Sequence, residues 1–78
     1  MTPRNLAVLI LKKAVAGGAD EGANIGPRYC ADFLNIPGDF TTIQAGLHYA
    51  AEQDWVEQHH SDFGLTAAGV AVGRSHAD

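Results

Sequence analysis

Gln53-Asp54-Trp55-Val56-Glu57-Gln58-His59-His60-Ser61-Asp62-Phe63-Gly64-Leu65-Thr66-Ala67-Ala68-Gly69 is the stretch whose reading decides the fold. Its period changes twice. Residues 55–59 read as a short strand, His60-Ser61-Asp62 as a turn and residues 63–65 as a return strand, which makes an antiparallel hairpin. Thr66 can then cap a last short helix running to residue 72. From Gly73 the tail is expected to fray, and residues 74–78 are assigned to it.

Upstream of the hairpin the pattern is helical. Asp39 is placed to cap a helix over residues 40–53 with an apolar stripe of Phe40, Ile43, Leu47, Ala50 and Ala51. Its other face carries Thr41, Thr42, Gln44, Ala45, His48 and Glu52. Gly46 inside it costs about 1 kcal/mol against alanine, so packing must hold this helix in place. Asn35-Ile36-Pro37-Gly38 breaks the chain ahead of it, because the residue before proline is pushed out of helical space. Gly26-Pro27 opens a shorter helix over residues 27–34, with Tyr29, Cys30, Phe33 and Leu34 toward the core. Residues 23–25 fit a short extended piece. Thr2-Pro3 starts the first helix, whose apolar positions wrap more than one face and which Gly17-Gly18 ends. The expected core is Leu6, Leu9, Ile10, Phe33, Leu34, Ile36, Ile43, Leu47, Val56, Leu65 and Val70.

The fold class is therefore mainly α with a small antiparallel hairpin, in one domain over residues 1–73. Seventy-eight residues leave room for no more than that. A chain of this size relies on tight packing or self-association, so a homodimer is among the expected assemblies. One cysteine excludes an internal disulfide framework and predicts a reducing, cytoplasmic setting. The longest apolar run, residues 6–11, is too short to span a bilayer, so no membrane partner is expected. The size also weighs against a catalytic pocket, and the chain is expected not to be an enzyme.

Three helices, a two-stranded hairpin and a capping helix in this order resemble the winged helix-turn-helix family over residues 27–72. The likeness lies in Leu34-Asn35-Ile36-Pro37 at the turn, Ile43 and Leu47 in the long helix, Gln53-Asp54-Trp55-Val56 leading into the first wing strand, and Leu65-Thr66-Ala67-Ala68-Gly69 opening the last helix. The last of these is the most specific. The resemblance makes residues 40–53 the recognition helix and residues 59–62 the wing tip. It implies that Thr41, Thr42, Gln44, Ala45 and His48 face the DNA major groove, with His60 at the wing; Arg28 at the start of the second helix, with Arg4, Lys12 and Lys13, is the candidate patch for contact with the DNA backbone. It also implies a small DNA-binding or transcription-regulatory domain.

Charge cuts the other way. The chain carries −4 at pH 7, and residues 29–73 hold six acids, Asp32, Asp39, Glu52, Asp54, Glu57 and Asp62, with no Lys or Arg. Residues 1–28 carry Arg4, Lys12, Lys13 and Arg28 against Asp20 and Glu21. Recognition helices and wings that bind DNA usually carry cations, because phosphate neutralisation supplies most of the non-specific affinity. The alternative partner is consequently a basic protein that docks on the acidic face without DNA readout. No metal or other cofactor is expected. His48, His59, His60 and Cys30 lack the two close-spaced pairs of a zinc site, and neighbouring His59 and His60 on a strand point to opposite faces. Cys30 reads as a small core residue, and Gly22-Ala23-Asn24-Ile25-Gly26 lacks the Lys-Ser/Thr ending of a phosphate loop.

Overall fold

The computed structural model describes residues 2–60 and 62–75. The elements run α1 (Pro3–Ala16), α2 (Pro27–Asp32), α3 (Phe40–Glu52), β1 (Val56–His59), β2 (Asp62–Leu65) and α4 (Ala67–Ser75). The fold is mainly helical with one antiparallel hairpin, paired Val56↔Leu65, Glu57↔Gly64, Gln58↔Phe63 and His59↔Asp62.

Local chemistry accounts for the helix boundaries. Thr2 Oγ1 accepts from the Asn5 N–H at 3.1 Å, and Pro3 occupies the first helical position, where its missing N–H costs nothing. Asp39 caps α3 in the same way, accepting from the Thr42 N–H at 2.8 Å. The chain leaves α3 through Asp54 at φ 62° and crosses the turn before α3 through Asn35 at φ 53°, both residue types that tolerate the left-handed region.

α1 packs across α3 and α4, and α2 packs on α3. The core draws Leu6, Ala7, Ile10, Leu11 and Ala14 from α1, Ile43, Leu47 and Ala50 from α3, and Val56, Phe63 and Leu65 from the hairpin. Cys30, Leu34, Ile36 and Val70 complete it together with Ile25. Residues 22–25 run extended beside β2, with an isolated bridge between Asn24 and Gly64. Ile25 donates its N–H to Phe63 O at 2.7 Å, Gly22 to Leu65 O at 2.7 Å, and Leu65 returns one to Ala23 O at 2.8 Å. The extended piece expected there is present, and it carries Ile25 into the core.

Three expectations need correction. Phe33, expected in the core, is 74% exposed. α2 ends at Asp32, two residues early, and its inward positions are Pro27 and Cys30. At helical spacing Leu34 falls on their side, whereas Phe33 follows Tyr29 around the helix and stacks on it at 5.3 Å between ring centroids. Phe40, assigned to the apolar stripe, is 61% exposed, because it opens α3 a turn ahead of the first buried residue, Ile43. Leu9 is half-buried at the edge of the same core.

The tail is the third correction, since α4 continues through Gly73 to Ser75 and buries Gly73. A Cβ there would sit 2.7 Å from Leu11 O and 2.5 Å from Val15 Cγ2, so the missing side chain is what lets α4 lie against the α1 backbone. Gly69, one turn earlier, meets the Trp55 carbonyl in the same manner. The remaining tail residues, 76–78, lie outside the described residues.

Candidate nucleic-acid interface

The residues that the resemblance assigned to DNA fall on three elements. On α3, the buried residues Ile43, Gly46, Leu47 and Ala50 define the inward face. Thr41, Ala45, His48 and Glu52, at spacings of four, three and four, lie opposite it and are exposed. Thr42 is exposed at the flank, with its backbone N–H held by Asp39. Gln44 is half-buried and stands to one side of the exposed stripe. The stripe therefore offers a hydroxyl, a methyl and an imidazole and ends in a carboxylate, with the Thr42 hydroxyl at its flank.

His48 is tied to the hairpin. Its ring meets Phe63 edge-on at 5.5 Å, and Phe63 is among the most buried side chains, so α3 and the hairpin are held together through this pair. The tip of the hairpin is a short turn whose first residue, His60, is exposed and has φ 56°. Positive φ at this place matches the twist of the flanking strands. Gln58 Nε2 donates to His60 O at 3.4 Å. Ser61 lies outside the described residues. His59 Nε2 stands 3.8 Å from Glu57 Oε2, an exposed pair of little energetic weight.

Arg28 is exposed in the first turn of α2. It lines an open hollow of about 360 Å³ with Asn24, Gly26, Tyr29, Phe33 and Asp62. The structure thus groups the residues differently from the expectation. Thr41, Ala45 and His48 share a stripe, while Arg28 belongs to a hollow shared with the hairpin residue Asp62. Asn24, Phe33 and Asp62 are not grouped by anything in the sequence, since they come together only when residues 22–25 lie against β2.

Electrostatics at the mouth of α3 are unfavourable to an anion. The Thr42 backbone N–H, bonded to the Asp39 carboxylate, lowers the Asp39 pKa below its ordinary value. Asp39 therefore stays ionised where a DNA phosphate would approach the helix end. Burial acts in the opposite direction on Cys30, whose pKa is pushed up to about 12, and its thiol donates to Ile25 O at 3.4 Å. The side chain is 0% exposed and stays protonated at neutral pH, as a core residue and not a nucleophile.

Among the described residues no group of three or more His, Cys, Asp or Glu side chains is placed to hold a metal ion. Among them, too, no helix is long and apolar enough to cross a membrane. Comparison with protein-family models, curated proteins and solved structures finds no match to this chain.

Proposed function

We propose that the chain is a small, non-catalytic winged-helix domain of the DNA-binding or transcription-regulatory kind, with α3 as the reading helix and the β1–β2 hairpin as the wing. The observation that carries it is the pairing of an exposed α3 stripe, Thr41, Ala45 and His48, with a hairpin locked to the same helix through His48 and Phe63. A rigid unit of helix and wing is what groove reading requires, because base contacts depend on a fixed register on the duplex. Hydroxyl and imidazole groups can bond base edges, and the Ala45 methyl can meet a thymine methyl.

Affinity in this reading comes from few phosphate contacts, supplied by Arg28 and by the cations of α1. Binding is accordingly weak, with a shallow salt dependence. The deciding measurement is an amide-shift titration with random-sequence duplex at low salt. Shifts at Thr41, Thr42, Ala45 and His48 are expected. An α3 that stays silent while the α1 cations respond would reject groove reading.

A second reading is favoured by one specific observation. Phe33 and Phe40, the only large hydrophobic side chains found exposed among the described residues, flank the turn between α2 and α3 beside the exposed acids Asp32 and Asp39. Aromatic anchors within an acidic surround suit a basic protein partner better than a duplex. In the same titration a lysine-rich peptide in place of DNA would then shift Phe33 and Phe40.

A further inference from the structure

The hollow between the start of α2 and the hairpin has a composition that groove reading by α3 does not use, although its Phe33 is also an anchor of the second reading. One wall is the Tyr29–Phe33 stack, with rings 26° from parallel and Phe33 74% exposed. Asn24, Gly26, Arg28 and Asp62 line the rest of the hollow. Gly26 permits the close approach, since a Cβ there would lie 3.0 Å from Asp62 Oδ1. Asn24 Oδ1 is already engaged, accepting from the Gly26 N–H at 3.0 Å, so the amide nitrogen is the atom left to donate. Among the described residues the His59–Glu57 pair is the only ion pair found, and neither Asp62 nor Arg28 makes a side-chain hydrogen bond there.

These groups specify a ligand. An exposed aromatic face attracts a flat π-system, and an open hollow of about 360 Å³ admits one ring system rather than a duplex. The charges of Arg28 and Asp62 offset one another, so the site suits a neutral ring better than an anion or a cation. A carboxylate accepts from an amine–imide edge, while a guanidinium and a carboxamide donate to ring nitrogens and carbonyl oxygens. We propose that this hollow binds an unpaired nucleobase, stacked on Phe33 with its amino edge toward Asp62, guanine being the best match. The base can come from a free nucleoside or from a single strand, where stacking on exposed aromatics is the general mode of capture.

The test is a titration of the full chain, followed by amide and aromatic-ring shifts, with guanosine, thymidine and a short guanine-containing single strand as separate arms. Saturable shifts at Asn24, Tyr29, Phe33 and Asp62 are expected with guanosine, and weaker ones with thymidine, which lacks the amine. Tighter binding of the strand than of the nucleoside would identify nucleic acid as the source, and equal affinity a free metabolite; either outcome supports the site. Phe33→Leu removes the π-face from an exposed position and leaves the fold intact. It should weaken guanosine binding by roughly five- to a hundredfold, the range that base–aromatic stacking supplies. Arg28→Gln should weaken it less. Unchanged affinity in Phe33→Leu, shifts confined to α3, or no saturable shift with any probe would each overturn the proposal. Because the duplex experiment reads Thr41, Ala45 and His48, failure at one site is separable from failure at the other.

Discussion

Two regions of the molecule spend their polar groups in opposite ways. At the joint between β2 and α4, the Thr66 Oγ1 accepts from the Gly69 N–H at 3.1 Å and lies 2.6 Å from Asp54 O and 2.8 Å from Trp55 O, to which it can donate its own proton. The Thr66 N–H donates to Trp55 O at 3.1 Å, and Gly69 leaves room for that same carbonyl. One hydroxyl thus caps α4 and ties it to the exit of α3. On the exposed stripe of α3, by contrast, Thr41 and Ala45 take no part in the core and make no side-chain hydrogen bond among the described residues. The difference teaches where a resemblance comes from. Leu65-Thr66-Ala67-Ala68-Gly69, its most specific piece, is demanded by packing, whereas a partner's chemistry is written on residues that packing leaves alone.

Substitutions can break this comparison, beginning at the joint. Gly69→Ala gains about 1 kcal/mol of helix propensity but drives a methyl into the Trp55 carbonyl, a backbone atom that cannot step aside. A net loss of about 3 kcal/mol is expected in urea denaturation, comparable with the 2–5 kcal/mol expected for Leu47→Ala at a fully buried position. Survival of Gly69→Ala at parental stability would show that α4 does not rest on the Trp55 carbonyl. Gly46 gives the internal contrast. Its added Cβ would meet Leu6 Cδ2 and Cγ at 3.0 Å and Cβ at 3.3 Å, a side chain that must give by only a few tenths of an ångström. Gly46→Ala should therefore cost clearly less than Gly69→Ala and stay within about 1 kcal/mol of the parent.

Thr66→Ala comes next, at about 1–2 kcal/mol for the lost cap. Thr66→Ser should recover most of it, because the hydroxyl rather than the methyl makes these bonds. Serine failing to rescue would move the weight of the joint to packing.

On the α3 side the expected effects on stability are small. Thr41→Ala should change the unfolding midpoint by no more than about 0.5 kcal/mol while removing the duplex-induced shift at that turn. A large stability change there would erase the contrast between the two regions.

The Asp39 cap adds a pH signature. The Thr42 N–H holds the folded-state pKa of Asp39 below its ordinary value, so the stability this supplies is fully present above the ordinary carboxylate range. It is lost as pH falls through the depressed folded value. The stability difference between the parent and Asp39→Asn should therefore be constant from neutral pH to about pH 5 and shrink in more acidic urea titrations. A difference that grows on acidification would contradict the assigned direction.

Much of the architecture was legible before any coordinates. Caps at Thr2 and Asp39, the break at Ile36-Pro37-Gly38 and the two strands follow from bonds between near neighbours in the chain, and each lies within a residue or two of its expected place. The exposed character of Thr41, Thr42, Ala45 and His48 was likewise readable from the helical period. Phe33 and Phe40 were misread for one shared reason. Periodicity says which residues lie on one side of a helix, but not whether another element covers that side.

What the sequence by itself determined is thus the order and type of the elements, the caps that start them and the charge of the surface, because all of these depend on local bonds or on composition. Only the packing of the elements decided that Gly69 and Gly73 are sites of close backbone approach and that Gly73 does not start a frayed end. It likewise decided that residues 22–25 lie extended against β2, and that Arg28, Phe33 and Asp62 meet around one hollow. These depend on contacts between residues far apart in the chain, and neither local propensity nor period carries information about which distant backbone will come to lie against which.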